Sequence, residues 1–126
     1  MLTWRRPKIN RKMMANFEIY RIDKSTAFYY RLKSGSNQEI ILESEGYATK
    51  YAAIEAIESA KIAVRFDRNF ESKESIYYTF ALKTGNGETV GRSKKYLSAT
   101  ERDNALQMVK KEATNATVED LTLVSN

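Results

Sequence analysis

The chain repeats itself, and a repeat constrains the fold before any single segment is assigned. Tyr30-Arg31-Leu32-Lys33-Ser34-Gly35 lies over Phe80-Ala81-Leu82-Lys83-Thr84-Gly85 at a constant offset of fifty. One extra residue in the first copy's turn then changes the offset to forty-nine, setting Ser44 to Tyr47 over Ser93 to Tyr96 and Ala56-Ile57 over Ala105-Leu106. A copy of about 50 residues struggles to bury enough apolar surface alone, whereas two copies sharing one core suffice. The expected organisation is a basic tail over residues 1–16, disordered in isolation, then a first repeat over 17–66 and a second over 67–126, the two repeats forming one domain.

Within each copy the pattern reads as strands followed by a helix. Tyr78, Phe80 and Leu82 alternate with Tyr77, Thr79 and Ala81, and Phe28, Tyr30 and Leu32 repeat that period of two in the first copy. Asn86-Gly87 predicts a tight type I′ hairpin before Thr89-Val90, while the longer Ser34 to Gln38 turn predicts a looser one. An opening strand is expected over Phe17 to Ile22, with a less regular counterpart over Arg65 to Phe70. Ser98-Ala99-Thr100-Glu101 is a capping box, with Thr49 the matching cap in the first copy. Behind these caps run the stripes Ala105, Leu106, Val109, Ala113 and Ala53, Ile54, Ile57, Ala60, Val64. A short closing strand is expected over Thr117 to Leu123.

These residues resemble the YegP-like family, small bacterial proteins made of a tandemly repeated domain of unknown function. The resemblance runs from about Phe17 to Thr122. It is carried by Tyr30-Arg31-Leu32-Lys33, Ile40-Ile41 and Ser44-Glu45-Gly46-Tyr47 in the first copy. In the second it is carried by Phe80-Ala81-Leu82-Lys83, Asn86-Gly87-Glu88, Val90-Gly91, Ser93, Tyr96, Arg102-Asp103-Asn104 and Val118-Glu119-Asp120-Leu121-Thr122. The chain departs from the family where Glu55-Ala56 replaces asparagine and glycine and where Ala105 replaces glycine. The resemblance implies an α+β fold: two tandem β-β-β-α(-β) repeats forming one antiparallel sheet with two helices packed on it, terminal strands being open to exchange between repeats. It implies no activity, cofactor or site.

Composition narrows the chemistry. Among 126 residues there is no cysteine and no histidine, which excludes disulfides, thiolate nucleophiles, Cys/His zinc sites and imidazole bases. No cofactor is expected. No apolar run approaches the roughly 18 to 20 residues of a membrane span, and no apolar signal core follows the N-terminal basic residues, so a cytoplasmic protein is expected. The net charge of +5 resides in the tail, where Arg5, Arg6, Lys8, Arg11 and Lys12 meet no acid; the remaining residues hold 16 charges of each sign. Met13 and Met14 stand just before the first strand, so initiation at either would remove this tail.

Four features invite a functional reading, each beside a structural one. Glu43, Glu45, Glu101 and Asp103 could supply an acid/base pair if held about 5 to 9.5 Å apart, or could be solvated charge. Gly85-Asn86-Gly87 lacks the Gly-Lys-Ser/Thr ending of a phosphate loop and reads as a hairpin turn. The matched Tyr47 and Tyr96 are candidates for equivalent ligand contacts or for rim packing. Tyr29, Arg31 and Lys33 share one strand face, a setting in which bases stack on aromatics beside cations, and the basic tail could add salt-sensitive phosphate contacts. The leading expectation is a non-enzymatic interaction module with a protein partner, acting as a monomer or homodimer. Its rival is a nucleic-acid-binding protein using Arg5, Arg6, Lys8, Arg11, Lys12, Tyr29, Arg31 and Lys33.

Overall fold

The computed structural model describes residues 14–123. In chain order these form β1 (Asn16–Tyr20), β2 (Tyr29–Lys33), β3 (Ile40–Glu43), α1 (Lys50–Ala63), a 3-10 turn (Asp67–Asn69), β4 (Phe70–Glu74), β5 (Tyr78–Lys83), β6 (Thr89–Arg92), α2 (Ala99–Glu112) and β7 (Thr117–Asp120). β1 opens one residue ahead of Phe17, and Ala15 before it is already buried. The seven strands make one sheet in the order β4-β5-β6-β3-β2-β1-β7. Phe17, Ile19, Tyr30, Leu32, Leu42, Phe80 and Leu82 point to one face, where they meet Ile57 of α1 and Val109 of α2 in a single core. Both helices therefore cover the same face and leave the other open.

The two copies are joined at β3 and β6. Glu43 pairs there with Arg92, its own equivalent at the offset of forty-nine, so an approximate two-fold axis passes through this seam. Next to it, a Cβ on Gly91 would lie 2.7 to 2.9 Å from the side chain of Leu42, which is again its repeat equivalent. Leu42 fills the space that the missing side chain leaves. Tyr30 crosses the same seam by donating its hydroxyl to the carbonyl of Val90, a bond that Phe80 in the second copy cannot make. Ring packing is otherwise duplicated: Phe17 and Tyr30 meet edge-on at 5.6 Å, and Phe70 and Phe80 do so at 6.0 Å.

Both tandem repeats and both helices of the α+β expectation are present, and several details differ. The sheet is mixed rather than wholly antiparallel, because β7 returns to lie parallel to β1. Thr117 N–H donates to the Ala15 carbonyl at 3.2 Å and Leu121 N–H to that of Ile19 at 2.8 Å. The strand expected over Arg65 to Phe70 is displaced to Phe70–Glu74. Asn69, nearly buried, donates its side-chain amide to the Ala63 carbonyl at 3.1 Å, so the intervening residues close the end of α1 before any strand begins. The opening strand stops at Tyr20, short of Ile22, ahead of a turn in which Ser25 N–H reaches the Ile22 carbonyl. β7 likewise stops at Asp120, whose carboxylate accepts from the Thr122 N–H at 2.8 Å and so turns the chain.

The second hairpin is not type I′, which needs two positive φ angles. Only Gly87 has one, at 90°, and its N–H bonds the Thr84 carbonyl at 2.9 Å, giving a three-residue loop closed by a left-handed residue. Gln38 holds the matching left-handed place in the first copy, with φ 61°. Ser98 accepts from Glu101 N–H at 3.1 Å as a cap should, but its hydroxyl donates to the glutamate carboxylate, so the second half of the box runs side chain to side chain. Thr49 caps α1 by accepting from Ala52 N–H. Ile54 is exposed, and Ala56 takes the buried place on that stripe.

Candidate functional site

The open face of the sheet is where the sequence placed its candidate residues. On β2, Tyr29, Arg31 and Lys33 alternate with the core residues Tyr30 and Leu32, and on β1 the partners Tyr20, Glu18 and Asn16 stand directly beside them. Arg31 Nε lies 2.8 Å from Glu18 Oε1 and Lys33 Nζ 3.5 Å from the same oxygen. Glu18 is only 7% exposed, held under the two cations. The Arg31 guanidinium covers the Tyr20 ring at 4.3 Å, and Tyr20 stacks on Tyr29 at 5.6 Å with 23° between the planes. Burial pushes the Tyr20 hydroxyl above its ordinary pKa, and the charge of Glu43 adds to this.

The structure thus gathers Tyr29, Arg31 and Lys33, but as a closed cluster whose cations face a buried carboxylate and whose aromatic faces stack on one another. Similar pairing runs across the sheet: Lys83 with Glu71 at 3.2 Å, Arg92 with Glu45 at 3.4 Å, and Asn16 with Glu119 at 3.2 Å. Arg5, Arg6, Lys8, Arg11 and Lys12 lie outside the described residues. Each candidate carboxylate has a neighbour of its own. Glu45 bonds Arg92, Glu43 stands opposite Arg92 and Arg31, Glu101 caps α2, and Asp103 binds Arg102 at 2.9 Å. Among the described residues no group of three or more acidic side chains could hold a metal ion, and no helix is long and apolar enough to cross a membrane.

The matched tyrosines have matched structural duties. Tyr47 exchanges both backbone hydrogen bonds with Phe28 at 2.7 Å, and Tyr96 does so with Tyr78 at 2.9 Å. Their rings pack on the core, and burial, followed by nearby glutamates, raises both hydroxyl pKa values. Ser44 Oγ accepts from Tyr30 N–H and donates to the Glu45 carbonyl; Ser93 does the same with Phe80 and Lys94. The repeated Ser and Tyr positions are thereby accounted for as stitches between strand and helix.

Two features escaped the reading of the sequence. Glu18, the acid that pairs with both Arg31 and Lys33, was detectable from the period of two along β1. Arg102 is 6% exposed and sits in the helix stripe of Ala105 and Val109, a place its charge disguised. It equals Ala53 of the first copy, and it donates to the Lys73 carbonyl at 3.3 Å while pairing with Asp103 and, at 3.6 Å, Glu74. These partners offset the cost of burying its charge.

Arg102 draws attention to β4, the bare end of the sheet. Tyr78 turns its backbone groups to Tyr96, and Phe80 turns its own to Ser93. Both therefore face away from β4, and their partners across the ladder, Glu74 and Ser72, must face away from β5. At the other end of the sheet the equivalent groups of β1 are taken by β7. Glu71, Ser72, Lys73 and Glu74 are all exposed.

Comparison with known proteins places this architecture. The model of a domain of unknown function, DUF1508, matches residues 23–65 and 77–120, one match in each repeat. A UPF0339 protein from the 5′ region of the ptx operon of Stutzerimonas stutzeri is 40% identical over 108 residues, covering 84% of this chain and 96% of that protein. The UPF0339 protein YegP of Yersinia pestis is 33% identical over 112 residues, covering 87% and 98%. The solution structure of YegP from E. coli, a protein of unknown function, superposes with a TM-score of 0.80 at 30% identity, covering 90% of this chain and 97% of that one. That of a UPF0339 protein from Shewanella oneidensis gives 0.79 at 30%, covering 86% and 92%. With both repeats matched and relatives aligned over nearly their full length, the chain belongs to the DUF1508 (UPF0339) family, of which YegP is a member.

Proposed function

We propose that this protein is a non-enzymatic interaction module that takes an extended protein segment as an added strand on β4. The carrying observation is the contrast between equivalent strands: the outward backbone groups of β1 are paired by β7, while those of Ser72 and Glu74 meet no strand among the described residues. Unpaired edge groups are a ready template for strand addition, with main-chain bonds giving affinity and alternate side chains giving selectivity. The tied-up carboxylates of the open face support the non-enzymatic side of this reading. The protein is taken as cytoplasmic, consistent with a chain that uses no cysteine.

Ser72→Pro tests the proposal. It removes the outward N–H and blocks an incoming strand, yet β4 keeps its bonds to β5, which run through Glu71 and Lys73. Partners captured from bacterial lysate by the wild type are expected to be lost with this variant at unchanged melting temperature; capture by both alike would overturn the reading. The nucleic-acid alternative has weaker support because Arg31 and Lys33 are already paired with Glu18. Anisotropy titrations of oligonucleotides at about 50 and 200 mM salt address it, since phosphate contacts lose orders of magnitude over that range. Salt-sensitive binding that survives deletion of residues 1–13 would reinstate the Tyr29, Arg31 and Lys33 face.

A further inference from the structure

We infer that the strand added to β4 is β4 of a second copy, giving a closed antiparallel dimer centred on Ser72. This rests on the strand-addition reading above and names its partner. Because Ser72 and Glu74 face outward, a two-fold axis at Ser72 brings Ser72 of each copy into a hydrogen-bonded pair with the other. Glu71 then stands opposite Lys73 of the second copy, and Lys73 opposite Glu71, both in the closer, non-hydrogen-bonded type of pair. Opposite charges directly across a ladder stabilise it, and like charges oppose it. An axis at Glu71 or at Lys73 would instead set each against itself, so the charge pattern selects one register.

The other free edge lacks this property. β7 carries Glu119 and Asp120 with no cation, and Asp120 turns the chain by accepting from Thr122. Self-pairing there opposes acid to acid or sets the acids across from uncharged residues.

Beyond the paired strands, the same two-fold axis brings the tip of the β4–β5 hairpin, where Ile76 is 85% exposed, toward the end of the second copy's β4 that follows its 3-10 turn and Arg68. Arg68 lines an open cleft of about 250 Å³ together with Ile62, Ala63 and the exposed Phe66. An exposed isoleucine and an apolar recess, each without an evident role in the single chain, are thus brought to the same end of the joint. An isologous contact supplies both twice and closes, whereas β4 meeting β7 would run head to tail into filaments.

Sedimentation velocity of the full chain up to about 1 mM, with native hydrogen exchange of the Ser72 and Glu74 amides, tests the inference. The expected species has twice the 14.5 kDa of one chain, with those amides protected as it forms. Glu71→Lys and Lys73→Glu should each weaken association at least tenfold, because each sets like charges opposite one another. The double variant, which swaps the two charges, should restore it, and circular dichroism confirms that all three variants fold. Ile76→Glu should also weaken the dimer. A monomer at every concentration overturns the inference: protected amides would then assign the edge to another part of the chain itself, and unprotected ones would leave it to a foreign strand. A ladder of larger species, or a double variant no better than the singles, overturns it as well. If a foreign partner is captured and then lost with Ser72→Pro while the chain is monomeric, only the dimer fails; if Ser72→Pro changes neither mass nor capture, strand addition fails with it.

Discussion

β1 and β4 are the same strand of two copies of one repeat, yet one is roofed on both sides and the other is bare. Phe17 and Phe70 hold equivalent places opposite Leu32 and Leu82. Phe17 is fully buried, whereas Phe70 is only partly so, and the four residues after Phe70 are exposed. The difference comes from what lies beside each strand. In the first copy small Ala53 stands in α1, and Lys50 at the start of that helix holds Asp120 of β7 at 2.7 Å. In the second copy Arg102 occupies the Ala53 position and fastens β4 from beneath. A duplicated frame can therefore keep its core while its two ends diverge completely.

The two phenylalanines should differ most. Phe17→Ala is expected to cost about 3 to 5 kcal/mol and Phe70→Ala clearly less, measured by urea denaturation. Equal losses would break the argument that β7 makes the first copy's outer strand a core strand. At the seam, Gly91→Ala should cost about 1 to 3 kcal/mol because Leu42 is fully buried and has no room to move. Adding Leu42→Ala should leave less than the sum of the two single losses; strict additivity in this double-mutant cycle would mean that the two sites do not touch.

Tyr30→Phe, which makes the first copy match Phe80, is expected to lose about 1 to 2 kcal/mol by stripping the Val90 carbonyl of a buried donor. An unchanged stability would show that this bond does not help join the copies. The smallest effect concerns the cover strand. Burial pushes the Asp120 carboxyl up, but hydrogen bonds from Lys50 and Thr122 and the Lys50 charge outweigh it and hold the pKa below 3.8. A lowered carboxylate pKa adds stability that is fully present above the ordinary value and fades as pH falls through the lowered one. Asp120→Asn should therefore speed exchange of the Leu121 amide at neutral pH, by the equivalent of about 0.5 to 1 kcal/mol, and should leave it unchanged at the acid end of that window.

Most of the fold was legible because the repeat, the period of two and the helix caps are local patterns. The misplaced strand near Arg65 has a specific cause. Phe70 matches Phe17 at an offset of fifty-three, not forty-nine or fifty, since Tyr20 and Tyr29 pair nine positions apart while their equivalents Lys73 and Thr79 pair only six apart, the first copy's opening hairpin carrying three extra residues. No fixed-offset comparison registers that insertion. The parallel return of β7 is a contact between the two ends of the chain, and nothing local in Thr117 to Asp120 specifies its partner. The cations of the open face were found, but their pairing with Glu18 depends on which strand lies alongside β2, so Tyr29, Arg31 and Lys33 looked available when read alone. The bare edge of β4 could not be read from the sequence, because FESKE looks the same whether or not a neighbour covers it.

The seam also bears on ancestry. Positions that lie next to the two-fold axis meet their own counterparts, so in a dimer of identical single repeats they would oppose like to like: glutamate to glutamate, and leucine to leucine or glycine to glycine. Here they read Glu43 against Arg92 and Leu42 against Gly91. Such lock-and-key pairs become possible only after two copies are fused and free to drift apart. Once acquired, they act as a ratchet, since neither half can any longer pair well with itself and the duplication has become irreversible.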